Sequence, residues 1–182
     1  CQDRTVIITG SGGGLGRAYA LAFAAEGANV VVNDIRFDAA KAVANEINSA
    51  GGNAIANSSD ITKTVTAQQI VDDAIAAFGE VHILVNNAGV LRDGMFVNSN
   101  EDDWDMVMQV HLKGHFCLAN ILSRRWRDQS KAGNPVAARI INTSSGAGLQ
   151  GSVGQSNYSA AKGGVATLTL VQASELARYG IT

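Results

Sequence analysis

Apolar residues fall in short unbroken runs separated by longer stretches of helical period. Val6-Ile7-Ile8, Val30-Val31-Val32 and Ile83-Leu84-Val85 carry no polar interruption. Parallel strands buried on both faces require that pattern. The runs and the alanine- and leucine-rich stretches between them predict strands near 4–9, 28–33, 53–58, 81–86 and 137–143. The same pattern predicts helices near 14–26, 38–50, 63–78, 101–127 and 158–179. Strand and helix alternate throughout, a βαβ repeat that implies one parallel sheet covered on both faces, in strand order 3-2-1-4-5. The expected fold class is α/β, a doubly wound parallel sheet in three layers, with residues 1–182 forming a single domain.

The first strand breaks into Thr9-Gly10-Ser11-Gly12-Gly13-Gly14-Leu15-Gly16, and a helical pattern follows from Arg17. A buried strand, a glycine turn and a helix N-terminus make a diphosphate cradle: glycines let the backbone approach the phosphates, and unpaired helix N–H groups meet their charge. A flexible linker is the plain alternative, but linkers are not normally clamped between a β-branched strand and an amphipathic helix. The second strand ends at Asp34, where a carboxylate can accept hydrogen bonds from adenosine ribose hydroxyls and repel a 2′-phosphate. This favours NAD over NADP, although Arg36 follows two residues on and an ordinary turn or cap role for Asp34 stays open.

Tyr158 and Lys162 stand four residues apart in Asn157-Tyr158-Ser159-Ala160-Ala161-Lys162, downstream of Thr143-Ser144-Ser145. Residues i and i+4 share a helix face, so the ammonium lies beside the phenol and can stabilise its anion. Acid–base catalysis by tyrosine near neutral pH needs such a partner. A lone Tyr-x-x-x-Lys is common by chance; its weight comes from the glycine motif at the other end.

Taken in order, these motifs resemble the short-chain dehydrogenase/reductase family over essentially the whole chain. They are Thr9-Gly10-x-x-x-Gly14-x-Gly16, Asp60-Ile61 after the third strand, Asn86-Asn87-Ala88-Gly89 at the end of the fourth, and Ser145 thirteen residues before Tyr158. The resemblance implies a Rossmann-type fold and an NAD-dependent oxidoreductase that interconverts a secondary alcohol and a ketone. It also implies catalytic roles for Ser145, Tyr158 and Lys162. Cofactor contacts are implied at Thr9, Gly10, Gly14, Leu15, Gly16, Asp34, Asp60, Ile61, Asn87, Ala88, Gly89, Tyr158 and Lys162, and substrate contacts at Ser145 and Gln155. The chain departs from the family at His111, in His111-Leu112-Lys113-Gly114-His115-Phe116, where an asparagine is usual. A relay role through the backbone carbonyl would survive that change, and a buried, satisfied histidine is the equal alternative. With Asn86 to Asp93 upstream, the histidine resembles (3R)-hydroxyacyl-CoA dehydrogenase domains; Gly154-Gln155-x-Asn157-Tyr158 resembles 3-oxoacyl-thioester reductases. An acyl thioester is therefore the implied substrate class. The rivals are an NADPH-dependent 3-oxoacyl-carrier-protein reductase, a steroid or polyol dehydrogenase, and a non-catalytic NAD-binding sensor.

Composition narrows the partners. The chain has 182 residues, 46% apolar and 16% charged, enough for one buried core, with a formal charge of −2. No basic block points to nucleic acid, and no eighteen-residue apolar stretch points to a membrane span. Arg124-Arg125-Trp126-Arg127 reads as a solvated helix end. Two cysteines make no disulfide framework, so a reducing cytoplasm is expected, and the three histidines lack metal-ligand spacing. Helices 101–127 and 158–179 carry apolar residues beyond one stripe: Trp104, Met108 and Leu112 on one, Leu168, Leu170, Val171 and Leu176 on the other. Such faces predict a homodimer or homotetramer formed through these two helices, as the family resemblance also implies. Family members usually continue beyond the helix that carries Tyr158 into further strands and a substrate loop. The expectation is thus a truncated domain with the outer edge of strand 137–143 open.

Overall fold

The computed structural model describes residues 1–182. Five strands form one sheet in the order β3-β2-β1-β4-β5, all neighbours parallel: β1 (Thr5–Thr9), β2 (Asn29–Asn33), β3 (Asn53–Asn57), β4 (Ile83–Asn86) and β5 (Arg139–Asn142). The expected topology is therefore the observed one. Alternation along each strand divides the core in two. Val6, Ile8, Val30, Val32, Ile83 and Val85 pack on the face covered by α1 (Gly14–Ala25) and α2 (Phe37–Ser49). Ile7, Val31 and Leu84 pack on the opposite face with α3 (Thr64–Phe78) and the later helices. Burying each such side chain contributes about 1.5–3 kcal/mol, which is why continuous apolar runs suit these positions.

The predicted helix over 101–127 is in fact three pieces. α4 (Glu101–Met108) starts at Asn100, whose side chain accepts from the Asp103 N–H, with Glu101, Asp102 and Asp103 in the first turn. Both features favour a helix start there. A π turn, Gln109–Lys113, follows before α5 (Gly114–Lys131). Gly114 allows the wide turn to press against Ile61, since a Cβ would come 2.7 Å from Ile61 Cδ1. π turns of this kind cluster at functional sites, and this one carries His111. Trp126, inside the basic Arg124–Arg127 group, is buried and its indole donates to the Val81 carbonyl at 2.8 Å, while Arg124 is exposed.

Two more differences concern the end of the sheet. A short helix, α6 (Gly146–Gln150), lies between β5 and α7 (Ser156–Leu176), where no element was expected. The outer edge of β5 is not open. Ala138 N–H donates to Gly180 O (3.1 Å), Thr182 N–H to Ala138 O (3.1 Å) and Ile140 N–H to Thr182 O (2.8 Å). Residues 180–182 thus lie alongside β5, with Ile181 buried in the core. The apolar spacing of a three-residue segment is too short to announce this pairing in the sequence. No helix is long and apolar enough to cross a membrane.

Candidate active site

At the C-terminal ends of the strands a cleft of about 810 Å³ opens, as expected for an open parallel sheet. The glycine turn forms its floor. Gly10 has φ +62°, and a Cβ on it would lie 2.7 Å from Ala88 Cα, so only glycine lets the turn pack on the end of β4. Gly16 is equally tight, with Asn87 Nδ2 2.6 Å from where its Cβ would be. Gly14, by contrast, faces open space, and no side chain caps the N-terminus of α1. An uncapped helix N-terminus beside open space fits a dinucleotide diphosphate. Thr9 braces this floor from beneath: its Oγ1 accepts from the Asn87 and Ala88 N–H groups at 3.0 Å each.

The wall at β2 is built round Asp34, which is buried. Its carboxylate accepts the Gly12 N–H (3.1 Å) and the Arg36 N–H (3.0 Å), and the exposed Arg36 guanidinium approaches to 3.4 Å. Asp60 is occupied locally by Thr62, whose N–H and hydroxyl both donate to Oδ1 at 2.8 Å. Behind this wall Asn33 donates to Asn57 and to the Ser59 carbonyl, holding the loop after β3 in place.

At the far end of the cleft, Lys162 Nζ lies 5.8 Å from the Tyr158 ring centroid and donates to the Thr143 carbonyl at 2.5 Å. Burial lowers the Lys162 ammonium to about 8. His111 meets the Tyr158 ring edge-on, with centroids 5.2 Å apart at 84°. Its Nε2 sits 3.0 Å from Val90 N and 2.8 Å from Val90 O, so one tautomer accepts from the amide and the other donates to the carbonyl. The other ring nitrogen, Nδ1, has no protein partner. Burial holds this imidazole below the ordinary histidine range; the Val90 bond opposes that, and the Lys162 charge adds to it. The sequence suggested a role through the His111 backbone, whereas the side chain is what ties the helix to Val90.

The candidate residues are thus largely gathered in one place. Gly10, Gly14, Leu15, Gly16, Asp34, Asp60, Ile61, Asn87, Ala88, Gly89, His111, Tyr158 and Lys162 all line the cleft. Thr9 lies buried beneath it. Ser145 and Gln155 stand outside the lining. Ser145 starts α6, its Oγ accepting the Ala147 N–H at 3.2 Å, and the Gln155 amide donates to Asp93 at 3.1 Å. Val90 and Asn157 are structural partners of the site; the motif reading quoted both, within Asn86 to Asp93 and Gly154-Gln155-x-Asn157-Tyr158, without giving either a role. Which backbone groups they meet has no spacing signal.

The model of the short chain dehydrogenase family matches residues 4–182. The chain belongs to that family. Among family relatives, a hydroxyacyl-CoA dehydrogenase of Mycobacterium tuberculosis is 45% identical over 99% of this chain and 59% of its own length. The peroxisomal hydratase-dehydrogenase-epimerase of Neurospora crassa is 44% identical over 99% of the chain and 20% of its own length. A crystal structure of a short chain dehydrogenase from Mycobacterium avium superimposes with a TM-score of 0.97 at 55% identity, covering all of this chain and 65% of that one. The chain therefore spans under two thirds of these relatives. Within this short-chain dehydrogenase, the floor, the Asp34 wall and the Tyr158–Lys162 end border one cleft.

Proposed function

We propose that this short-chain dehydrogenase domain interconverts a 3-hydroxyacyl thioester and the matching 3-oxoacyl thioester with NAD as cofactor. The observation that carries the reading is one continuous cleft. It joins an uncapped helix N-terminus at Gly14 and a buried carboxylate at Asp34 to the Tyr158–Lys162 pair. The nicotinamide cofactor supplies or accepts the hydride when bound. The chain's own residues handle the proton and the orientation. Tyr158 gives its hydroxyl proton to the carbonyl oxygen in reduction and takes a proton from the alcohol in oxidation. Lys162, fixed on Thr143, places positive charge beside the phenolate formed as that proton leaves, and reaches the nicotinamide ribose. Ser145 Oγ accepts from Ala147, which leaves its own O–H free to donate to the substrate oxygen. His111 joins the proton relay beside Lys162, and Gln155 lines the approach of the substrate.

Gly10, Gly14, Leu15 and Gly16 hold the diphosphate, Asp60 and Ile61 flank the adenine, and Asn87, Ala88 and Gly89 support the nucleoside. Asp34 receives the ribose hydroxyls and repels a 2′-phosphate, which supports NAD. The relative from M. tuberculosis carries the name hydroxyacyl-CoA dehydrogenase, which supports the thioester class. A second reading, an NADPH-dependent 3-oxoacyl-carrier-protein reductase, is favoured by the exposed Arg36 guanidinium at the cleft rim. A reductase of that name from Staphylococcus epidermidis is 37% identical to the chain.

Titration of the full-length protein with NADH and NADPH, followed by turnover of a short 3-oxoacyl thioester, separates the two readings. NADH preference with NADH-dependent reduction supports the first, and NADPH preference overturns it. The Tyr158→Phe variant is expected to lose roughly 10²–10⁴-fold in turnover with NADH binding retained. The partner proposed for α4, α5 and α7 is a second copy of the chain. Met106, Phe116, Leu170 and Val171 are exposed there, and Leu112 and Leu168 share a groove with Phe116. Sedimentation of the wild type and of Phe116→Lys tests it, with dissociation of the variant expected. A reducing, cytoplasmic compartment is proposed with it, on the strength of two free cysteines.

A further inference from the structure

We infer that Asn157 is a positioning residue that locks Tyr158 to the cleft wall formed by residues 90–94. The inference rests on Tyr158 being the acid–base group. Asn157 is 4% exposed, and both ends of its amide are used: Nδ2 donates to the Arg92 carbonyl at 3.0 Å and Oδ1 accepts the Tyr158 N–H at 2.7 Å. That N–H belongs to the first turn of α7, where backbone donors have no partner within the helix. Gln155, at the helix start, makes no side-chain cap; its Nε2 turns away to donate to Asp93 at 3.1 Å. Asn157 therefore satisfies the orphan donor of the catalytic residue with the same side chain that grips the loop.

The loop is held at four successive points. His111 grips Val90 from the helical side. Asn157 takes Arg92, Gln155 takes Asp93, and Gly94 N–H donates to Gly154 O at 2.8 Å. Val90 and Leu91 line the cleft, so this segment is the wall opposite Tyr158's approach to a substrate. His111 also meets the Tyr158 ring edge-on. The tyrosine is thus flanked by two side chains that each hold the same wall. Substrate resting on that wall and the proton donor are kept in one register. Reversing the Asn157 amide would set donor against donor and acceptor against acceptor, so its orientation is determined.

The experiment compares Asn157→Ala with wild type in the full-length protein, reading NADH stoichiometry, kinetics with a 3-oxoacyl thioester, and amide exchange over residues 90–98. The expected result is a fall in kcat of roughly 10–100-fold, the scale of a misplacement of about 1 Å. KM should change little, NADH should bind at full stoichiometry with unchanged affinity, and exchange in the loop should speed up. Gln155→Ala, which cuts the side-chain tie to Asp93 and removes a group along the substrate's approach, should speed exchange with a smaller fall in kcat and a rise in KM. Wild-type kcat in Asn157→Ala overturns the inference. So does a loss of kcat matched by an equal loss of NADH sites, because that marks damaged folding. Failure of the underlying catalytic reading shows separately, as turnover retained by Tyr158→Phe.

Discussion

The carboxylate of Asp34 accepts the backbone N–H of Gly12 at 3.1 Å, so the end of β2 and the glycine turn form one unit. A side chain at the proposed nucleotide wall thereby shapes the floor proposed to carry the diphosphate. Asp34→Ala should weaken NADH binding roughly 10–100-fold, the worth of charge-assisted hydrogen bonds of about 1.5–3 kcal/mol. NADPH binding should fall less, because the repulsive charge is also gone. Fluorescence titration with both cofactors checks this, and equal losses would separate Asp34 from cofactor choice.

Gly16 leaves no room for a side chain between the Gly10 carbonyl and Asn87 Nδ2. Gly16→Ala should lower stability by about 1–3 kcal/mol through overpacking, and NADH affinity should fall with it. Denaturant unfolding of the variant, with and without NADH, reads both effects. A variant of wild-type stability would mean that the turn can shift.

Lys162 provides a pH test. Burial brings its ammonium down to about 8, so the charge beside Tyr158 is present below that pH and is lost above it. The rate of 3-oxoacyl reduction at saturating NADH should therefore fall as pH rises through about 8. A profile flat to pH 10 would show that the charge is not needed. The stability linkage has its own sign. The unfolded lysine titrates near 10.5, so the unfolded chain binds more protons between about 8 and 10.5, and this group alone makes stability rise with pH across that window.

His115 provides a test at acid pH. It is 1% exposed, neither ring nitrogen has a protein partner, and burial, with the Lys162 and His111 charges, lowers it to about 3. The unfolded chain binds the extra proton between about 3 and 6.5, so this group's contribution to stability falls as pH drops through that range. Burial also lowers His82 and His111, which push the same way. His115→Leu should leave stability at pH 7 equal or higher, since it removes unpaired polar atoms. It should also flatten the fall in Tm between pH 6.5 and 4. An unchanged acid slope in thermal melts would place the sensitivity elsewhere.

The two-faced core follows from local information. Continuous apolar runs such as Val30-Val31-Val32 can be satisfied only between two layers of helix, and βαβ handedness narrows the strand order to a few, of which 3-2-1-4-5 is the one formed. The nucleotide floor was equally legible, because Gly10 and Gly16 stand where close backbone approach excludes any Cβ. Tertiary structure decided the rest. Residues 180–182 pair with β5 through backbone groups that have no sequence signature. The π turn at Gln109–Lys113 depends on how Gly114 meets Ile61, a contact between residues far apart in the chain. Asn157 and His111 hold the same loop from two different helices, through an amide bond to the Arg92 carbonyl and an imidazole bond to the Val90 backbone. Periodicity and motif spacing record what a residue asks of its own strand or helix. Which distant carbonyl a polar side chain will meet depends on how the finished elements pack, and that is settled only once the sheet and its helices are assembled.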